Sequence, residues 1–494
     1  MRHPRSHKLT VLGVTAACSA AALTLSAQAG AAAPLDQPTS FVVLQGGTGT
    51  AKAVAATLAA GGTVTQEWPQ IGAVIAQASD DAFDDRAKGM AGIVAAGPTR
   101  ALSAYQPTAG ITPDGAVSGL GPGTSGGDDT AEPLNDKQWD MRMIKADKAH
   151  LRSDGNRDIT VGILDSGIEA DHPDLAANVD PAQSVSCVEK GVPNTAATAW
   201  QPTTSDHGTH VAGTVGAARN GVGIVGVAPN VKLASVKVVD DDGYIYPEYA
   251  ICGFIWAAEK GMQVTNNSYF IDPYYLWCKA TEDERPVITA VERALKYSEK
   301  RDVVNVASAG NSRWDLSKPI ADRGSPNNLP EGEEPEVRYT DHRCYDMPVE
   351  VGNTVAVSSV GPTMEKAYYS NFGRNVIDVT APGGDAWLDW KAPTSKPADA
   401  ILSTTKNGGW GYKQGTSMAG PHAAGVVALV RGTDSGLNAQ QAIKTLEREA
   451  DTIACPEVYD YTDDGVADAT CEGGATGAGF FGAGLVDALE AVTP

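Results

Sequence analysis

From about residue 134 onward the chain alternates short, continuously apolar segments with segments of helical length, and this alternation restricts the fold more than any other feature. Strand candidates lie at 159–164, 232–239, 263–267, 303–307, 354–360 and 376–380, and helix candidates at 211–218, 247–260, 290–300, 420–430 and 438–450. A strand that is apolar along its whole length needs cover on both faces, and parallel neighbours need a crossover that a helix supplies. The pattern predicts an α/β unit with a mostly parallel sheet flanked by helices. Reactive groups in such sheets gather at the carboxyl ends of strands.

Residues 40–97 follow a different plan. Apolar runs and short helical patterns succeed one another in β-α-β-β-α-β order, as expected of a small ferredoxin-like α+β domain. This stretch contains neither cysteine nor histidine, so no catalytic role is expected for it. Residues 101–133 are rich in Gly, Ser, Thr, Pro and Asp without periodicity, which predicts an exposed linker and a processing site. At the start, Arg2, Arg5 and Lys8 precede an apolar run from Leu9 to Leu25, and Ala27-Gln28-Ala29 follows at cleavage spacing. That is the pattern of a secretory signal peptide. The expected plan is a signal peptide at 1–29, a small domain at 30–100, a linker at 101–133 and the main unit at 134–494. No later stretch reaches the roughly 18 apolar residues of a membrane span, so a secreted, extracellular product is expected.

The net charge of −22 argues against a nucleic-acid partner, which would call for a basic patch. Seven cysteines become six once Cys18 is removed with the leader: Cys187, Cys252, Cys278, Cys344, Cys455 and Cys471. An even number in an exported chain predicts disulfides, although only Cys455 with Cys471 looks like a local bridge.

Three segments carry candidate chemistry. Asp165 ends the apolar strand 159–164 and is followed by Ser166-Gly167, where an open sheet presents a carboxylate to its crevice. His207 opens His207-Gly208-Thr209-His210 at a helix start, among small neighbours that leave access for a substrate. His207 and His210 also have the spacing of a metal pair, but no H-E-x-x-H pattern or third ligand supports zinc. Ser417 lies in Gly415-Thr416-Ser417-Met418-Ala419, ahead of the apolar run 423–430, where free N–H groups at a helix start favour developing negative charge.

These three segments, in this order, resemble the active-site signatures of the subtilisin-like (subtilase) serine peptidases. An α/β-hydrolase would instead run Ser, acid, His with a G-x-S-x-G elbow, and here Ala419 stands at the last position. The resemblance spans about residues 134–494, and the 40–97 unit resembles the family's inhibitory propeptide. It implies a secreted endopeptidase made as a self-processing zymogen, with Ser417 as nucleophile, His207 as general base and Asp165 as its orienting acid. Asn311, in Ser308-Ala309-Gly310-Asn311, matches the oxyanion-hole asparagine. Ser268-Tyr269-Phe270 stands where the family usually has Ser-Leu-Gly in its substrate-binding strand, so a changed specificity is expected.

No cofactor is implied for the chemistry, but a structural calcium ion is, with Asp174 and Asn220 as ligands beside the carbonyls of Ala218, Val222 and Ile224. An acidic loop at Asp460–Asp468 has partial EF-like spacing and is expected to be solvated instead. The implied partners are protein or peptide substrates and the chain's own propeptide, acting on a monomer. A secreted ester hydrolase and a non-catalytic binding protein on a protease scaffold are the alternatives.

Overall fold

The computed structural model describes residues 34–100, 117–120, 132–330, 332–386 and 396–493. The expected signal peptide and most of the expected linker lie outside the described residues. The N-terminal unit runs β1 (Pro34–Gln45), α1 (Ala51–Ala59), β2 (Thr63–Trp68), β3 (Ala73–Asp80), α2 (Phe83–Lys88) and β4 (Ile93–Pro98). Its antiparallel sheet has the order β2-β3-β1-β4, in agreement with the ferredoxin-like plan.

The period-two alternation of β1 sorts its side chains between two cores. Phe41 and Val43 pack with Val74 and Phe83 inside the unit, whereas Val42 and Leu44 join a core shared with residues 250–295 of the main unit. The docked face is thus apolar, and polar contacts fix its register. Arg293 donates to the carbonyls of Gln45 and Ile71, each at 3.0 Å.

The main sheet contains β5 (Thr160–Asp165), β6 (Val185–Ser186), β7 (Lys232–Lys237), β8 (Val264–Asn267), β9 (Val304–Ser308), β10 (Val355–Val360) and β11 (Val379–Pro382). Their order is β11-β10-β9-β8-β5-β7-β6, and every neighbouring pair is parallel. Helices α3 (His207–Gly216) and α6 (Thr416–Thr433) cover one face, where Val211, Val215 and Val427 meet Val161, Ile163 and Val306. Helices α4 (Pro247–Glu259) and α5 (Arg285–Lys300) cover the other, where Phe254, Ile251 and Val287 meet Leu164 and Val236. Each such side chain contributes roughly 1.5–3 kcal/mol when fully buried. The last long helix, α7 (Ala439–Glu449), starts where expected because Asn438 and Gln441 form a reciprocal capping box.

From β5 the chain runs to β6 and β7 on one side and then places β8 on the other, so the carboxyl end of β5 is a topological switch point. Asp165 is the last residue of that strand. Beside several two-residue strands, an antiparallel hairpin of Ile401–Thr405 and Gly409–Lys413 is present that the alternation did not predict. Its turn holds Asn407 and Gly408 at φ of 63° and 64°, a conformation that this dipeptide favours. Among the described residues there are three disulfides: Cys187–Cys252, Cys278–Cys344 and the expected Cys455–Cys471.

Candidate active site

The structure brings Asp165, His207, Asn311, Ser417 and the segment Ser268-Tyr269-Phe270 to the wall of one cavity. His207 is the first residue of α3, and its Nδ1 lies 2.9 Å from each carboxylate oxygen of Asp165. Asp165 is 1% exposed and His207 14%, so the pair is shielded on the acid side and open on the imidazole side. A carboxylate at Nδ1 holds the proton there and leaves Nε2 as the acceptor. This close approach of α3 to β5 depends on Gly208. A Cβ at that position would lie 2.5 Å from the Gly167 carbonyl and 3.0 Å from Oδ1 of Asp165.

His210, the other histidine of the motif, has a different role. It is fully buried, and its Nε2 lies 3.1 Å from the carbonyls of both Ile401 and Gly411. Burial, followed by the charge of Lys413, pushes its pKa down to about 3, so it is a neutral structural group. Ser403 and Thr404 of the same hairpin donate to the carbonyls of His210 and Thr209, each at 2.6 Å. The overlooked hairpin therefore braces the helix that carries His207. The Asn407-Gly408 dipeptide was the sequence signal for it.

Ser417 is the second residue of α6, among the N–H groups that a helix start leaves without intrahelical partners. Gly415 precedes it at φ 147°, a region that L side chains rarely adopt. Asn311 is oriented by α6 itself: its Oδ1 accepts from both the N–H and the hydroxyl of Thr416, each at 2.9 Å. With the oxygen committed, the amide N–H₂ is the end of the side chain turned away from Thr416.

Ser268 plays a part that its place in the expected substrate-binding segment did not suggest. Pro421 lies inside α6 and has no N–H for the carbonyl of Ser417, four residues earlier. Ser268 Oγ donates to that carbonyl at 3.0 Å and accepts from Asn266 Nδ2 at 2.8 Å. The hydroxyl thus ties the end of β8 to the first turn of α6. Tyr269 is fixed as well, donating to Asn267 Oδ1 at 3.0 Å, and burial and then Asp165 hold its hydroxyl pKa well above the usual value. Phe270 packs on Tyr275 with ring centroids 4.4 Å apart.

At the candidate calcium loop, Oδ2 of Asp174 accepts from Ile224 N–H at 3.0 Å and from Trp410 Nε1 at 2.7 Å. Its Oδ1 and Oε2 of Glu132 are buried without a hydrogen-bond partner among the described residues. Burial raises the Asp174 pKa to about 7, and the charge of Glu132 adds to the rise against the opposing donors of Ile224, Trp410 and Asn220. Asn220 donates to the Pro173 carbonyl at 3.0 Å, while its Oδ1 accepts from Val222 N–H at 2.9 Å. Arg219 pairs with Asp154 at 3.0 Å, so its charge is engaged elsewhere. Glu132 and Asp174 come from separate segments that both accept from the backbone of residues 220–224, and their two orphaned oxygens fit a hard cation, although among the described residues no cluster of three His, Cys, Asp or Glu side chains forms a metal site. In the acidic loop, Asp460 accepts from Asp464 and Gly465 N–H groups at 3.2 and 2.7 Å, so its oxygens serve the loop's own backbone.

An Asp, His, Ser order on a parallel sheet belongs to the serine peptidases of α/β architecture. Residues 156–483 match the Subtilase family, and the chain belongs to that family. It is 28% identical to subtilisin DY of Bacillus licheniformis over 64% of this chain and 92% of that one. It is 30% identical to the epidermin leader peptide-processing serine protease EpiP of Staphylococcus epidermidis, over 60% of this chain and 65% of the relative. The match to fervidolysin of Fervidobacterium pennivorans, at 28% identity, spans 41% of that protein's length. The crystal structure of EpiP from Staphylococcus aureus has a similar fold, with a TM-score of 0.66 at 20% identity over 92% of this chain and 98% of that one.

Proposed function

We propose that this chain is a secreted serine endopeptidase that hydrolyses peptide bonds through an acyl-enzyme and is made as a self-processing zymogen. The observation that carries this reading is the 2.9 Å Asp165–His207 pair opening on the same cavity as Ser417, at the start of a buried helix. In the proposed reaction, Ser417 Oγ attacks the scissile carbonyl carbon and His207 Nε2 takes its proton. Asp165 holds the imidazole in place and stabilises the imidazolium. The negative oxygen that forms is met by the Asn311 side-chain amide and the Ser417 backbone N–H. The imidazolium then protonates the leaving amine, the carbon–nitrogen bond breaks, and water repeats the sequence to release the acid and restore Ser417.

The N-terminal unit acts in this reading as an intramolecular inhibitor. Just after β4, Arg100 pairs with Glu248 and lies 3.8 Å over the Tyr246 ring, which anchors the strand end beside α4. A structural calcium ion, held by Asp174, Asn220 and the carbonyls of Ala218, Val222 and Ile224, would tie loops together and supply no catalytic step. The mature product is released as a monomer after the linker is cut.

The test is expression of the full chain and of Ser417→Ala, followed by intact mass measurement and assays on casein and a simple ester. The reading expects a shortened, casein-cleaving product from the native sequence and an unprocessed, inactive Ser417→Ala chain. Ester turnover without proteolysis, or shortening of the purified variant, would refute it.

A further inference from the structure

One acidic group on the wall of the cleft is not used by the chemistry above. Asp346 lines the same cavity as Ser417 and Asn311, yet it is only 5% exposed. It follows the short strand Cys344–Tyr345, which pairs with Trp277–Cys278 and is bridged to it by Cys278–Cys344. Its backbone N–H donates to Glu350 Oε2 at 2.7 Å, which fixes the main chain without engaging the Asp346 carboxylate. Among the described residues no hydrogen-bond donor or basic side chain meets that carboxylate, and the only charged group acting on it is Glu350. A second acid on the wall, Asp272, differs in this respect. Its two oxygens accept from Ile245 N–H and Asn327 Nδ2, each at 2.6 Å.

A buried carboxyl group without a donor is costly, and burial together with Glu350 holds its pKa well above the usual range. Its place in the cleft suggests what offsets that cost. A Cβ built on Gly310 would lie 3.4 Å from Oδ2 of Asp346, so this oxygen sits against the backbone one residue before Asn311. The pocket wall is aromatic: Phe270 packs on Tyr275, and Tyr275 meets Trp314 edge-on at 5.7 Å. Aromatic walls suit a long aliphatic stem, and an acid at the end suits a cationic head.

We infer that Asp346 is the floor of a specificity pocket that takes an arginine or lysine side chain from the substrate residue supplying the scissile carbonyl. The inference rests on the peptidase reading, and Asp346 ionises as the cation enters.

The active product of the full chain is profiled on matched peptides with arginine, lysine, leucine or phenylalanine at that residue. Basic peptides are expected to be cleaved preferentially, and Asp346→Asn is expected to lower the arginine-to-leucine ratio of kcat/KM by about a hundredfold. Binding of p-aminobenzamidine, read by its fluorescence, gives a second measurement that needs no turnover. Wild-type protein should bind this aromatic cation, neutral benzamide should not compete, and Asp346→Asn should lose the signal. An active peptidase without basic preference, an unchanged ratio in the variant, or equal competition by benzamide overturns the inference. Amidine binding that depends on Asp346 in a protein without peptidase activity supports the pocket and refutes the peptidase reading instead.

Discussion

Replacing Ser268 by alanine removes the one hydroxyl among the described residues that reaches the Ser417 carbonyl in the gap left by Pro421. That carbonyl and the Asn266 amide, which now donates to Ser268 at 2.8 Å, are both buried. An orphaned buried polar group costs about 1–3 kcal/mol, so Ser268→Ala should lower stability by that amount. Pro421→Ala changes the outcome, because residue 421 then has an N–H for the same carbonyl at the ordinary helical spacing. The double variant should recover at least about 1 kcal/mol relative to the sum of the single effects. The loss of proline's restraint on the unfolded chain appears in both arms of the cycle and cancels. The assay is urea unfolding in a Ser417→Ala background, which keeps the backbone carbonyl and prevents self-digestion. Additivity within about 0.5 kcal/mol would refute the reasoning, since independent sites add to that accuracy.

Asn311→Leu should lower kcat by about 10²–10³-fold with a smaller change in KM, a magnitude taken from the equivalent donor in subtilisin; equal losses in both parameters would point to substrate binding instead. Phe270→Gly should shift the cleavage-site profile more than it changes folding, because it removes one ring of the pair with Tyr275, worth about 0.5–1.5 kcal/mol beyond its burial; an unchanged peptide-library profile would contradict this. Asp174 has a folded pKa of about 7, raised above its unfolded value, so the folded state binds the extra proton between about pH 4 and 7. Without calcium, stability should therefore fall as pH rises through that window, by more than in Asp174→Asn, and calcium should reduce the difference. Identical pH profiles, or no rise in melting temperature with calcium, would remove the site.

Much of this arrangement was legible in the chain because its signals are local. The apolar run ending at Asp165, the small residues after His207 and the glycine before Ser417 each specify a strand end or a helix start within a few residues. Six of the seven strands of the main sheet, all but β6, begin and end within about three residues of expectation for the same reason. What remained hidden depends on partners distant in sequence. Ser268 and Ser417 are 149 positions apart, and nothing near Ser268 marks its hydroxyl as the substitute for a missing proline N–H. Cys187–Cys252 and Cys278–Cys344 join residues 65 and 66 positions apart, so spacing did not distinguish them from other pairings. Asp346 lies in a stretch without periodicity, and only the fold places it beneath Gly310. Strand β6 has two residues, too few for any periodic signal.

The account depends most directly on Ser417 being the group that reacts. Treatment of the active protein with a serine-directed fluorophosphonate, followed by peptide mapping, should give one adduct on Ser417 with parallel loss of peptide hydrolysis. Full activity with Ser417 modified, or inactivation with the adduct on another residue, would contradict it.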